Sequence, residues 1–443
     1  MLIPLAPFEE YMFLDGTDSY PMNCFLRFEF SGQFDRERFQ RAWERTLPFH
    51  PLLQSRIVSP RKNRYVWDLD GPPGSVCWQE NADRHENPCG KPYDLFFEPP
   101  FRMTVRQFCD GGSELFAESH HSVLDAIGAM QFFEQLLDAY HRDLPPENPD
   151  QKILVSALNA RYRFAKNLRE LLCGVPSQLF GLARAWYFLM RRPEPVVPCN
   201  PPLDRPAPPE GFPFLLQRSL NPTQTALLRE RAGQRGASIN DCLLAAAFRA
   251  LFDWRKNENI PETEHFLRIA VPVNLRNHPA ELSTAANRVS MVFIDRKCRS
   301  ADNFQKLLSG IHREMQHIKR HRLGWAFIFG LACFKNVFGG FHGMIHQKRC
   351  WSSCVLTNPG RVFQKTALPL HDGKIRIDGA ANGGRLQLEK MISSPPIRPW
   401  TVFGINVVTY HDEMFLTLHY DPVAVSREAA ERFFDLYVDT VIR

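Results

Sequence analysis

The chain has 443 residues, 44% of them hydrophobic and 23% charged, which is the balance of a soluble globular protein and excludes large-scale disorder. That length is generous for one compact domain, so two domains or lobes are expected. A formal net charge of only +6, with no stripe of Lys/Arg interleaved with aromatics, gives no reason to invoke nucleic acid.

The eleven cysteines are scattered, odd in number and without a C-x-x-C pair, which argues against a disulfide framework or a structural zinc site. A reducing cytoplasm is the simpler setting. The segment Met1 to Glu10 lacks a basic stretch followed by a long apolar run, so no cleaved secretory signal is expected.

Taken in chain order, Cys24 to Phe30 reads as a strand with Leu26, Phe28 and Phe30 on one face. Asp35 to Leu47 has helical spacing, with Phe39, Ala42, Trp43 and Leu47 on one side. Phe101 to Cys109 and Glu114 to Glu118 predict paired strands joined by the turn residues Asp110-Gly111-Gly112-Ser113. A helix is predicted from about Ala126 to Tyr140, burying Ile127, Met130, Phe133, Leu136 and Leu137. Eight prolines between Pro193 and Pro209 block helix and central strand alike and predict a stiff extended linker. The boundaries follow: an N-terminal lobe at 1–192, a linker at 193–213 and a C-terminal lobe at 214–443.

Asn221-Pro222 reads as a helix start, and Asn240 to Phe252 as a second helix rich in Ala and Leu. Phe266 to Val273, Val289 to Ile294, Val402 to Thr409 and Met414 to Tyr420 read as strands, and Arg427 to Val441 as a closing amphipathic helix. The mixture in both halves predicts an α/β (α+β) class, with helices packed on mixed sheets.

The segment from Ala117 to Gly128 joins a predicted strand to a predicted helix, the kind of junction that presents reacting side chains. Within it stand His120, His121, Ser122 and Asp125. An H-x-x-x-D string also has a plain structural explanation, with His121 a hydrogen-bonded core residue and Asp125 a helix N-cap. No metal chemistry is expected. His317/His321 and His342/His346 are spaced i, i+4 but lack the Glu of H-E-x-x-H, and G-x-G-x-x-G, P-loop and G-x-S-x-G strings are absent.

Two apolar stretches have basic flanks. Residues 168–190 hold Phe180, Trp186, Tyr187 and Phe188, with Arg191-Arg192 beyond them; residues 323–345 follow Lys319-Arg320-His321-Arg322. Pro176, Gln178 and Arg184 interrupt the first, and Lys335, Asn336 and glycines the second, so neither reads as a membrane span. The readings that stay open are peripheral contact with an anionic membrane surface, packing on the protein, or the lining of an acyl tunnel.

The string His120-His121-Ser122-Val123-Leu124-Asp125 resembles the HHxxxDG hallmark of the CoA-dependent acyltransferase superfamily. That superfamily includes chloramphenicol acetyltransferase, wax ester synthases, alcohol acyltransferases and peptide-synthetase condensation domains. Further landmarks resemble the family in the same order: His50 to Ile57, Tyr93-Asp94-Leu95, Pro99 to Arg102, Ile239 to Ala245, Val271 to Arg276 followed by Asn287, and Leu416 to Asp421. Two features depart from it: Ala126 stands where glycine is usual, and Trp400 to Gly404 is at best a remnant of the late motif of condensation domains.

The resemblance implies two chloramphenicol acetyltransferase-like lobes with an active-site tunnel between them, and His121 as general base. It implies that Asp125 supports the site through an ion pair, with Arg56 as first candidate partner and Arg276 as second, and that His120 and Gly128 are supporting residues. Asn287, Asn274 and Ser122 are candidates for the substrate or oxyanion contact. No permanent cofactor is implied, only acyl-CoA or an acyl-pantetheine arm of a carrier protein as co-substrate. The reading placed first is transfer to a hydroxyl of an apolar alcohol or lipid; the alternatives are condensation on carrier-bound substrates and a non-catalytic acyl- or lipid-binding module.

Overall fold

The protein is known here as a computed structural model that describes residues 1–61, 64–72, 74–84, 90–164, 168–203, 205–261, 265–276, 284–297, 303–337, 340–341, 344–345 and 347–443. In its first half the elements are β1 (Leu2–Pro4), α1 (Pro7–Asp15), β2 (Asn23–Ser31), α2 (Arg36–Thr46), β3 (Arg56–Arg61), β4 (Arg64–Asp68), β5 (Val76–Gln79), β6 (Phe101–Gln107), β7 (Gly112–His120), α3 (Ala126–Arg142), α4 (Gln151–Asn159) and α5 (Leu168–Met190). The described residues of 193–213 form no helix and no strand beyond a single bridge from Pro193 to Phe266.

The second half continues with β8 (Leu215–Leu220), α6 (Pro222–Gln234), α7 (Ile239–Asn257), β9 (Phe266–Asn274), β10 (Val289–Lys297), α8 (Phe304–Arg320) and α9 (Gly324–Asn336). Then come β11 (Cys354–Arg361), β12 (Leu370–His371), β13 (Lys374–Asp378), β14 (Arg385–Ser394), β15 (Phe403–Tyr410), β16 (Glu413–Tyr420) and α10 (Arg427–Ile442).

Two large mixed sheets carry the lobes. The first runs β12-β13-β14-β2-β7-β6-β5 and the second β10-β9-β11-β15-β16-β8, with a small β1-β4-β3 sheet beside them. The fold is therefore α/β with two sheet-based lobes. The lobes do not follow the halves of the chain, because β14, from beyond the linker, pairs antiparallel with β2 and completes the first sheet.

Local chemistry explains the helices that frame the site. Asp35 caps α2 by accepting from the Arg38 N–H at 2.8 Å, and Asn221 caps α6 with Pro222 at its first position. In α3 the apolar spacing turns Met130, Phe133, Leu136 and Leu137 inward as predicted. Phe132 is buried as well, while Ile127 is only half-buried. Strand β2 departs from simple alternation: Leu26, Phe28 and Phe30 are buried, but so are Phe25 and Arg27, because both faces of the sheet are covered.

Within the two apolar stretches, the helices α5 and α9 pack on each other. A Cβ placed on Gly181 of α5 would stand 2.5 Å from that of Ala326 in α9, so the missing side chain lets the two helices close. Among the described residues no helix is long and apolar enough to cross a membrane.

Candidate active site

Strand β7 ends at His120, and the turn that follows carries the histidines into α3. His121 lines a cavity of about 180 Å³ between the lobes. Met22, Cys24 and Ser119 contribute to its wall from one side; Ala270, Val355 and Asn406 contribute from the other.

The hydrogen bonds fix the tautomer of His121. Its Nδ1 lies 3.0 Å from the Leu124 carbonyl oxygen, which can only accept, so Nδ1 carries the proton and Nε2 keeps its lone pair. Burial pushes the imidazole pKa below its ordinary value, opposed by the Leu124 carbonyl and the Asp125 carboxylate. A neutral ring with a free Nε2 in a cavity can take a proton from an incoming nucleophile.

His120 is built differently. Its Nδ1 accepts from the Ser122 N–H at 3.3 Å and lies 2.7 Å from the Ser122 Oγ, so the proton sits on Nε2. Burial and the neighbouring His121 push its pKa down to about 3. Both His120 and Ser122 are buried, and their facing groups are spent on each other.

Asp125 is the N-cap of α3 and the node of the site. Its Oδ1 accepts from the Gly128 N–H at 2.7 Å and from Arg276 Nη2 at 3.0 Å; its Oδ2 accepts from Arg276 Nη1 at 2.7 Å and from the Arg288 N–H at 2.7 Å. Four donors occupy the four lone-pair sites of a carboxylate, so none remains for proton transfer. The ion pair assigned first to Arg56 is made instead by Arg276. Arg56 is exposed and bonds Asp68 at 3.2 Å, on the small sheet.

The crossover into β10 completes the frame. Arg276 Nη2 donates to the Ala286 carbonyl at 3.0 Å, and Asn287 Nδ2 donates to the His121 carbonyl at 2.5 Å. A Cβ on Gly128 would meet the Ala286 oxygen at 2.8 Å, so glycine lets α3 lie against this loop. His50 holds the loop from the other side, its Nδ1 accepting from the Ala285 N–H at 2.8 Å.

The three residues proposed for an oxyanion contact each have partners within the protein. Asn287 supports the loop of His121, Ser122 serves His120, and Asn274 is exposed and accepts from the Arg276 N–H at 3.0 Å. Residues that the sequence did not single out take the cavity wall instead. Ser119 is buried, and its Oγ has no hydrogen-bond partner among the described residues. Asn406 donates to Ser393 Oγ at 2.8 Å, and Arg398 brings a guanidinium held by the buried Asp15 carboxylate. Ser119 was within reach of the sequence, two residues before His121 at the end of β7. Asn406, Ser393 and Arg398 had no such signal.

Among the described residues no group of three or more His, Cys, Asp or Glu side chains could hold a metal ion. His317 and His321 pack with Phe180 through ring contacts; His342 and His346 lie outside the described residues.

No family model matches the chain. In sequence it is 33% identical over 96 residues to a nonribosomal peptide synthetase of Aspergillus fumigatus, covering 19% of this chain and 2% of that protein. It is 25% identical over 284 residues to HC-toxin synthetase of Cochliobolus carbonum, covering 58% of this chain and 5% of that protein. The chain thus spans a small fraction of the curated relatives it matches. In structure it is similar to the first condensation domain of the CDA synthetase, with TM-score 0.69, 15% identity, and coverage of 100% of this chain and 96% of that one. It is also similar to the condensation domain of the Monacolin K polyketide synthase, with TM-score 0.67, 13% identity, and coverage of 100% and 97%. In fold the chain is similar to the condensation domains, with two chloramphenicol acetyltransferase-like lobes and the cavity of His121 between them.

Proposed function

We propose that the chain is a condensation-type acyltransferase that joins an acyl group, held as a thioester on the pantetheine arm of a carrier protein, to an amine or hydroxyl acceptor. The observation that carries this reading is His121: a neutral imidazole with its proton fixed on Nδ1 and its Nε2 free in a cavity between the lobes. Nε2 removes the acceptor's proton as the new C–N or C–O bond forms. The tetrahedral adduct then collapses, the C–S bond breaks, and the imidazolium returns its proton to the departing thiolate. Ser119 supplies a hydroxyl for the oxyanion in this scheme. No permanent cofactor is needed.

The likeness to synthetases in sequence, and to condensation domains in fold, supports this reading over the acyl-CoA-dependent one placed first from sequence. Transfer from acyl-CoA to an apolar alcohol or lipid remains the second reading. It is favoured by the aromatic side chains of α5 that face outward, Phe180, Trp186 and Tyr187, which suit contact with a lipid surface.

The test is product mass from acyl-pantetheine and acyl-CoA donors, each offered a panel of amines, alcohols and lipids. His121→Ala should lower turnover by about 10²-fold or more with its melting temperature unchanged. Equal turnover in that variant would remove His121 as the base, and bound thioester that is never transferred to any acceptor would leave the binding-module reading in place.

A further inference from the structure

A second pocket, of about 450 Å³, lies between α5, α9 and β10, within the size range of pockets that bind small molecules, about 300–1,000 Å³. It is not a separate site. Phe188, Met291, Phe293, Phe327, Met344 and Trp351 line both it and the cavity of His121, so the two spaces share a wall of apolar side chains. Phe188 stacks on Trp351 at 5.4 Å and packs against Phe293 at 4.5 Å, giving that shared wall a fixed aromatic surface.

Most of the charged groups around the pocket are paired; Arg349 instead donates to the Leu189 carbonyl at 3.2 Å and lies over the Trp351 ring at 4.3 Å. Arg184 meets Glu314 at 2.9 Å and Arg268 meets Asp295 at 2.7 Å, so they call for no ionic ligand. Two neighbouring donors are unmet: the indole Nε1 of Trp351, a residue 9% exposed, and the Nε of Arg349 are buried with no hydrogen-bond partner among the described residues. A buried N–H without an acceptor is costly and calls for a ligand oxygen.

We propose that this pocket receives the hydrocarbon tail of a fatty-acyl donor whose carbonyl lies beside His121, with Trp351 meeting an oxygen near the head of the chain. The inference rests on the transfer reading above and names its substrate class. It also gives the helices α5 and α9 a function inside the protein, as walls of an acyl compartment.

The test is a series of saturated acyl-pantetheine donors, from acetyl to hexadecanoyl, with one acceptor. For the wild type, kcat/KM should rise about three- to fourfold per added methylene until the pocket is full. Gly330 lines the pocket, and a Cβ added there meets no atom within 4 Å, so the side chain of Gly330→Phe starts from open space. This variant and Ala185→Trp, at a position that lines this pocket but not the cavity of His121, should cut the rise short and leave the acetyl donor's kcat/KM within about twofold. An unchanged length profile in both variants, a loss equal for every donor, or a length dependence that follows the acceptor would overturn the proposal.

A non-reacting hexadecyl-pantetheine thioether separates this proposal from the transfer reading. It should bind wild type and His121→Ala alike and lose at least tenfold in Gly330→Phe. If it binds both pocket variants as well as wild type, the compartment is elsewhere whether or not the protein turns over. If binding follows the pocket but no donor is ever transferred, the transfer reading fails and the pocket stands.

Discussion

Asp125 and Arg276 hold each other at 1% and 4% side-chain exposure, so neutralising one strands the other in the interior. Removing one partner of a buried pair costs about 3–5 kcal/mol, far more than the pair contributes against an apolar replacement. Asp125→Asn keeps a capping oxygen for α3 but loses the bidentate charge, and chemical denaturation should show a loss in that range. Arg56→Ala removes only an exposed contact to Asp68 and should cost less than about 1 kcal/mol. Equal losses would mean that the site is not built around the Arg276 pair. The sequence carried Arg276 only as second choice because ion-pair partners 151 residues apart leave no local pattern. The histidine motif, by contrast, is contiguous and sits where a strand meets a capped helix, and each of those features is local.

At the scale of elements, the site is the meeting of α3 with the loop at 284–288, and two contacts set their separation. One is Gly128. Alanine would gain about 1 kcal/mol of helix propensity but would push a methyl to 2.8 Å from the Ala286 oxygen, a backbone atom that cannot simply rotate away. Overpacking of this kind costs about 1–3 kcal/mol, so Gly128→Ala should lower both the denaturation midpoint and turnover, the loop being displaced from His121. An unchanged midpoint would show that the contact is slack.

The other contact is His50, whose ring must be neutral to accept from Ala285 while its Nε2 donates to Gln135 Oε1 at 3.0 Å. Burial pushes its pKa down to about 4, and that of His419 likewise to about 4. Unfolded, both rings take a proton near pH 6.5, so the unfolded state binds more protons below that point. The stability they confer is complete above pH 6.5 and falls as pH drops toward 4, by about 1.4 kcal/mol per pH unit for each ring. Denaturation midpoints measured between pH 7 and 4.5 should fall accordingly, and His50→Asn, whose Oδ1 can replace Nδ1 as acceptor, should make the decline shallower. A variant as steep as wild type would exclude His50 as a source of it.

Which elements were legible follows from their local regularity. β2, β6, β7, β9, β10, β15, β16 and the helices α2, α3, α6, α7 and α10 have clean apolar periods or capping residues. Two strands that matter most to the site do not. In β14 the register shifts between Leu388 and Lys390, so Leu386 and Leu388 fall out of step with Met391. In β11 the shift lies between Thr357 and Gly360, across Asn358-Pro359, residues that locally signal a turn.

For the whole molecule, the hidden strand is what joins the halves. Leu386, Leu388 and Met391 of β14, with Ile375 and Ile377 of β13, are fully buried in the same core as Phe28, Phe39 and Phe133. Burying one such side chain is worth about 1.5–3 kcal/mol, so the core of the N-terminal lobe is completed by residues that follow the linker. Residues 1–192 expressed alone would leave β2 as an open edge nine residues long, flanked by the apolar faces that β14 covers. That fragment should be largely insoluble or should lack a cooperative unfolding transition. Co-expression with residues 193–443 should recover a soluble complex, because β14 can pair with β2 without a covalent link. A fragment 1–192 that by itself unfolds cooperatively, with native-like near-ultraviolet circular dichroism, would show that the lobe is autonomous and that the strand only decorates it. The cavity of His121 would then be an interface between two independent domains, whereas a single cooperative unit holds both of its walls in register.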